Sequence, residues 1–458
     1  MNYLKIIFVC FLFSIPQVLM GQDGWQQLFD GQTLDGWTQL GGDANYFVEE
    51  GAIVGEAVPN TGNSFLTTEQ DYGNFILEYE VYLDTHINSG VQIRSNSNPD
   101  YRDGRVHGYQ VELDPSRRAW SGGIYDEARR GWLYPLSVNK KAGSAFQVGQ
   151  WNTIRVEAVG SSINTWINGV QCSRLVDDMT AEGFIGLQVH SIHDESLVGA
   201  QIKWRNIRIR TTDLQEHRQT PDPQVRQISY LKNELTEWEQ NHGWRLLWDG
   251  ATSEGWRGAK LDHFPESGWE ISDGVLTVQQ TDGGEATGPG DIVTEGQYGD
   301  FELELEFKIT EGANSGIKYF VDPDLNKGAG SAIGTEFQIL DDDNHPDANK
   351  GVAGNRKVGS LYDLIAAKNL SVPGRGKPFN GVGRWNKARI ISKDGHVEHW
   401  MNNQKVVEYE RFSQMFAALV AYSKYQKWEE FGRWPQGHIL LQDHGNEVSF
   451  RSIKVREL

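Results

Sequence analysis

The chain has 458 residues, which at roughly 100–200 residues per domain allows two or three domains, each able to bury a core. Charged residues make up 23% and hydrophobic residues 38%, excluding a disordered chain and a polytopic membrane protein. A net charge of −19, from 62 acidic and 43 basic side chains, argues against nucleic acid, whose phosphates need a basic surface. With 51 Gly and 16 Trp, the composition points to β-structure with many tight turns, its indoles filling cores or forming platforms for sugars.

Residues 1–21 read as a signal peptide. Lys5 supplies the positive end, Ile6 to Ile15 the apolar run, and Leu19-Met20-Gly21 an acceptable cleavage site. The run is too short to span a membrane, which takes about 20 apolar residues, and Val9 before Cys10 is a poor context for lipidation. An exported protein, periplasmic or secreted, with no transmembrane segment is expected. Cleavage leaves Cys172 alone, so neither an internal disulfide nor a cysteine-based metal site is expected.

From residue 24 onward the sequence repeats itself. Gly24-Trp25-Gln26-Gln27-Leu28-Phe29-Asp30-Gly31 followed by Asp35-Gly36-Trp37 returns as Gly243-Trp244-Arg245-Leu246-Leu247-Trp248-Asp249-Gly250 followed by Glu254-Gly255-Trp256. Asn88-Ser89-Gly90 returns as Asn314-Ser315-Gly316, Trp151-Asn152 as Trp385-Asn386, and Trp166-Ile167-Asn168 as Trp400-Met401-Asn402. Two copies of one domain follow, at 24–212 and 243–458, with a linker at 213–242. Each copy reads as strands. Phe301 to Ile309 alternates apolar residues with Glu302, Glu304, Glu306 and Lys308, predicting a strand with one wet face, and Phe75 to Leu83 matches it. Asn168-Gly169 predicts a type I′ hairpin. Many short strands with no βαβ alternation favour antiparallel sandwiches, an all-β fold.

Two helices are predicted. In the linker, Val225, Ile228, Leu231, Leu235 and Trp238 fall at helical spacing behind Pro221 and Pro223. In an insertion of the second copy, Phe412, Met415, Phe416, Leu419 and Val420 suggest an amphipathic helix leading to Lys424, Tyr425, Trp428 and Trp434, either a lid beside a pocket or a cap on the sandwich edge.

No phosphate loop, Gly-x-Ser-x-Gly elbow or His-Glu-x-x-His helix is present. The Glu-x-Asp-x-x-Glu strand of sandwich glucanases is missing too, since Arg117 stands where its last Glu would be. What remains is polar clustering at strand ends. In the second copy Glu336 and Gln338 share one strand face, followed by Asp341, Asp342, Asp343 and His345, then Arg356, Lys357 and Tyr362, then His396 and His399, then Asp443 and His444. Glu336 and His444 stand out because both lie in strongly patterned strands. The first copy offers Gln110 and Glu112 with acid and amide exchanged, then Arg129, Arg130, Trp132 and His190. A calcium loop beginning at Asp322 fails at Ile333, where a bidentate Glu is required. Asp341, Asp343, His345 and Asp347 read better as a solvated acidic loop than as a divalent metal site.

These motifs resemble a known family. Gly334-Thr335-Glu336-Phe337-Gln338-Ile339-Leu340-Asp341, Gly359-Ser360-Leu361-Tyr362-Asp363-Leu364 and Leu441-Gln442-Asp443-His444-Gly445, with the Leu-Phe-Asp-Gly opening, are similar to domain of unknown function 1080, the 3-keto-α-glucoside 1,2-lyase/3-keto-2-hydroxy-glucal hydratase domain, also called 3-keto-disaccharide hydrolase. The first copy resembles a variant branch. The resemblance implies tandem concanavalin A-like jelly rolls and cleavage of 3-keto-glycosides: a base removes the C2 proton, the C1 aglycone leaves by β-elimination, and water adds to the product. No cofactor is required, and the ketone would come from a separate oxidoreductase. Under this reading Glu336 or His444 is the base, and Lys357, His399 or Arg356 stabilises the enolate. Gln338, Asp341, Tyr362, Asp443 and Trp428 bind substrate, with Gln110, Glu112, Arg129, Arg130, Trp132 and His190 in analogous places. The alternative is a non-catalytic carbohydrate-binding protein. Tryptophans paired between the copies read as scaffold, leaving Trp120, Trp132, Trp428 and Trp434 as possible platforms.

Overall fold

The computed structural model describes residues 24–281 and 290–458. The signal peptide expected at 1–21, with Cys10, lies outside them. Each copy is a jelly-roll sandwich of two antiparallel sheets. In the first copy one sheet runs in the order Trp37–Gly41, Ser64–Thr68, Phe184–Val189, Ser89–Asn96, His107–Leu113, Ile124–Glu127, Gly131–Tyr134. The matching sheet of the second copy is Trp256–Gly258, Ile292–Thr294, His438–Leu441, Asn314–Asp322, Ile333–Leu340. The order is the same, but the first copy adds a hairpin at its edge. Alternating apolar residues fill each interior, as when Phe75, Leu77, Tyr79 and Val81 join Val91, Ile93, Tyr109 and Val111 in one buried cluster.

The duplication extends to single hydrogen bonds. Trp37 Nε1 donates to the Leu28 carbonyl (2.9 Å), and Trp256 Nε1 to that of Leu247 (2.8 Å). Arg205 lies over Trp151 (4.0 Å) and Arg451 over Trp385 (4.1 Å). Asn168 and Asn402 turn their hairpins with positive φ and donate to Asn152 and Asn386 at 2.9 and 2.8 Å. The repeat-paired indoles with these contacts are thus scaffold.

Two expectations are corrected. The linker is not a helix from Val225 to Trp238. Ile228–Ser229 is a strand parallel to Leu175–Val176, and the linker's helical residues are two short pieces, Leu214–His217 and Glu237–Asn241, the second opened by a Thr236/Glu239 capping box. Here apolar spacing reflects packing rather than a helical stripe, since Val225 and Ile228 join the first copy's core. The strand Phe301–Ile309, in turn, is buried on both faces except at the half-buried Lys308. Glu302, Glu304 and Glu306 are all buried. From the linker, Arg226 pairs with Glu302 (2.8 Å) and with Glu304, while Lys387 and Lys454 each stand 3.6 Å from Glu304. Burial alone would raise the Glu304 carboxyl, but Lys454, Arg226 and Lys387 hold it well below the usual range. The insertion helix does form, over Gln414–Ala421 with Ser413 as its cap, burying Phe416 and leaving Met415 exposed.

Removing one partner of a buried charge network leaves the others less fully compensated, at a cost of up to about 3–5 kcal/mol. Arg226→Ala should therefore lower the unfolding free energy by up to that amount, read as a lower denaturant midpoint, and Arg226→Lys by less. Because Glu304 is depressed in the folded state, the network's stabilisation is full above the unfolded carboxyl value of about 4.3 and is lost as pH falls below it. A midpoint indifferent to Arg226→Ala would contradict this role.

Candidate functional site

In both copies the polar cluster is built on three adjacent strands with a glycine in the middle. Gly316 stands opposite Gln338 and Lys318 opposite Glu336, and the Gln442 N–H donates to the Gly316 carbonyl. Directly opposed residues of antiparallel strands share a face. In the first copy Gly90 stands opposite Glu112 and Gln188, and Gln92 opposite Gln110. The glycine supplies floor space into which its neighbours fold. A Cβ on Gly90 would come within 2.6 Å of the Gln110 amide, and one on Gly316 would overlap the Glu336 carboxylate.

The second-copy pocket has a volume of about 240 Å³ and is lined by Glu336, Gln338, His444, His345, Tyr362 and Lys424, among others. Glu336 is buried, with the Lys318 ammonium 3.9 Å from Oε2. The surroundings of Gln338 fix its amide with the nitrogen toward Glu336, donating to Oε1 (2.9 Å) and to the Ser315 carbonyl (3.0 Å). His345 Nδ1 accepts from the Asp347 N–H (3.1 Å), so its neutral ring presents Nε2–H. Burial and then the neighbouring His444, 5.9 Å away ring to ring, push His345 below its ordinary value. Tyr362 donates to Asp347 (2.7 Å), and the Lys424 ammonium lies 4.2 Å above its ring.

Of the residues expected in the second copy, the fold brings Glu336, Gln338, Tyr362 and His444 together and leaves the others elsewhere. His399 sits in the core between the sheets, bonded to the Tyr319 hydroxyl (2.8 Å) and driven down to about 4 by burial. Arg356 is held by Asp347 (3.1 Å) and Asp363 (2.7 Å), where it braces Tyr362 from behind. Lys357 lies in the turn between Gly354 and Ser360, off the pocket. Asp341 and Asp443 accept from backbone N–H groups, Gly312 (2.7 Å) and Gly445 (2.9 Å), and shape loops. Trp428 lines an adjacent cavity of about 240 Å³. The insertion contributes Lys424 to the pocket instead. Lys318, absent from the sequence expectation, was signalled by the alternation Asn314, Gly316, Lys318 on the strand paired with that of Glu336, on the same face.

The first-copy cavity is larger, about 1080 Å³, and takes in Gln110, Glu112, Trp132 and His190. Glu112 accepts from Asn88 (2.6 Å) and Gln110 (2.8 Å). Burial nonetheless pushes its carboxyl up to about 7. Tyr125 and Glu127 also face this cavity. Period-two alternation therefore sends Asp126 to the other side, and Arg129 and Arg130 follow it there, pairing with Asp126 at 2.7 and 2.5 Å. Both arginines leave the substrate-contacting set.

For a metal, the one converging group among the described residues is His396, Glu398 and Glu408, outside both cavities, with the Lys405 ammonium already paired to both glutamates. The Asp341–Asp347 loop does not converge, since Asp347 is engaged by Tyr362 and Arg356.

A carboxyl raised in the fold binds its proton more tightly than in the unfolded chain, so stability falls as pH rises from about 4.3 towards about 7. Glu112→Gln should remove a loss on the order of 3 kcal/mol between about pH 5 and pH 8, measured as urea midpoints of both proteins. Identical pH profiles would contradict the buried acid.

The family comparison agrees with this duplicated architecture. The family model of the 3-keto-alpha-glucoside-1,2-lyase-like domain matches residues 24–210 and again 243–456. A 3-keto-disaccharide hydrolase from Bacteroides thetaiotaomicron is 37% identical over 240 residues, 47% of this chain and 79% of the relative. Among solved structures, a candidate glycosyl hydrolase from Parabacteroides distasonis aligns at 30% identity and a TM-score of 0.43, over 50% of this chain and 99% of its own. The carbohydrate-binding module CBM66 from Bacillus subtilis aligns at 16% identity and a TM-score of 0.28, over 38% of this chain and 96% of its own. With the family model matched twice over most of its length, the chain belongs to the 3-keto-alpha-glucoside-1,2-lyase-like family.

Proposed function

We propose that this protein is an exported carbohydrate-active enzyme of the hydrolase type, acting on 3-keto-glycosides, with its chemistry in the second-copy pocket. Family membership and the hydrolase relative support the reaction class. The observation that carries the assignment of the pocket is the buried Glu336 carboxylate, backed by Lys318 at 3.9 Å and facing His345, His444 and Tyr362 across a cavity of about 240 Å³.

A ketone at C3 acidifies the C2 hydrogen. Glu336 takes that proton, and the electron pair delocalises onto the C3 oxygen, toward the Nε2–H of His345 and the Lys424 ammonium that line the pocket. As the C3 carbonyl re-forms, the C1–C2 double bond forms and the C1–O bond breaks, with His444 supplying the proton to the leaving oxygen. Water then adds to C1 and a proton returns to C2, so the net change is hydrolysis. Gln338 holds Glu336 in place, and Tyr362, braced by Asp347, is available to orient a sugar hydroxyl. The ketone itself would come from a separate oxidoreductase.

With a 3-keto-glucoside in heavy water, wild-type protein should release aglycone and carry deuterium at C2 of the sugar. Glu336→Gln should slow release by about 10²–10⁴-fold, the usual scale for a general base. Gly316→Ala should slow it at least about tenfold, because the added methyl displaces the Glu336 carboxylate. Glu112→Gln should change it less than about threefold. Full activity in Glu336→Gln would place the base elsewhere.

A further inference from the structure

The larger cavity is not the first copy's alone. One wall is Gln110, Glu112 and Trp132; the other is Arg375, Phe379 and Gln404 of the second copy. The second wall is held rigidly. Asn403, in the second copy's hairpin, donates to the Leu133 carbonyl and to the Tyr230 hydroxyl, both at 3.0 Å, and its own carbonyl accepts from Ser137 (2.8 Å). Asn402 donates to the Pro378 carbonyl (2.6 Å), and Val372 packs against the first copy's core. The cleft is therefore set by the docking of the two domains before any ligand arrives.

Its chemistry is that of a saccharide site. Trp132 is half-buried and locked edge-on by Trp120 (4.7 Å) and Tyr125 (5.4 Å), with Arg118 over its ring, 5.2 Å from the centroid. An aromatic held this way offers an apolar plane at little entropic cost, while surrounding amides and carboxyls meet hydroxyl groups. Among the described residues the platform has no counterpart in the second copy, whose sheet ends at Ile333–Leu340 without an equivalent of the Ile124–Tyr134 hairpin. Arg375 is exposed on the facing wall and makes no ion pair among the described residues. Volume separates the two sites: about 240 Å³ is below the 300–1,000 Å³ usual for a drug-sized ligand, whereas about 1080 Å³ exceeds it.

We propose that the cleft between the two copies is a second carbohydrate site, built jointly by both domains, which binds a glucoside of two or more sugar rings with one ring on Trp132 and the next against Arg375 and Phe379. This binding does not depend on the reaction assigned to the other pocket.

Calorimetric titration of the full chain with glucose, maltose and cellobiose tests it. At least one disaccharide should bind at least about tenfold more tightly than glucose, and Trp132→Ala and Arg375→Ala should each weaken that disaccharide by about tenfold. Glu336→Gln should leave its affinity within about twofold, so that failure of the catalytic assignment is distinguishable from failure of this one. Arg375 is exposed, so its variant keeps the test open if Trp132→Ala does not fold. Equal affinities for glucose and both disaccharides, no binding of either disaccharide, or binding unaffected by Arg375→Ala would overturn the proposal.

Discussion

The arrangement of this molecule hangs on a half-buried guanidinium held between two buried carboxylates. Arg226 leaves the linker and pairs with Glu302 and Glu304 on the outer face of the second sandwich. The same linker inserts Val225 and Ile228 into the core of the first. One segment is thus anchored in both domains by different physics, apolar burial on one side and charge neutralisation on the other. Buried carboxylates are tolerable only when fully compensated, and Arg226, Lys387, Lys454, Arg389 and Arg456 surround these two. A linker so fixed makes the space between the domains a defined cleft rather than a variable gap.

Within each sandwich a central glycine sets the polar site, and an exchange of acid and amide beside it gives the sites different characters. Glu336 has an ammonium behind it and an amide donor beside it. Among the described residues Glu112 has only the amides of Asn88 and Gln110 as its hydrogen-bond donors, and burial raises it to about 7. Duplication supplied two equivalent scaffolds, and a swap of two side chains on one strand face set Glu336 beside an ammonium and left Glu112 with its carboxyl raised by burial.

Much of this was legible in the sequence. Period-two alternation placed Glu336 with Gln338 and Gln110 with Glu112, and repeat pairing separated scaffold tryptophans from Trp132. Other features were not, for physical reasons. The alternating glutamates of Phe301–Ile309 looked solvent-facing because their cover comes from the linker, and no local pattern records tertiary charge pairing. The linker's apolar spacing suited a helix although its residues pack outward into two partners. His399 carried the right chemistry for a site but alternates inward, into the core. The Arg375–Gln404 wall is a product of domain docking and has no signature in either copy alone.

The central claim is that a 3-keto sugar reacts beside Glu336. A structure of Glu336→Gln with a 3-keto-glucoside bound tests it most directly. The account predicts the sugar ring in the second-copy pocket, its C2 within about 3.5 Å of the residue 336 side chain and its C3 oxygen toward His345 and Lys424. A keto ring seated only in the interdomain cleft, with C2 beside Glu112, would contradict it.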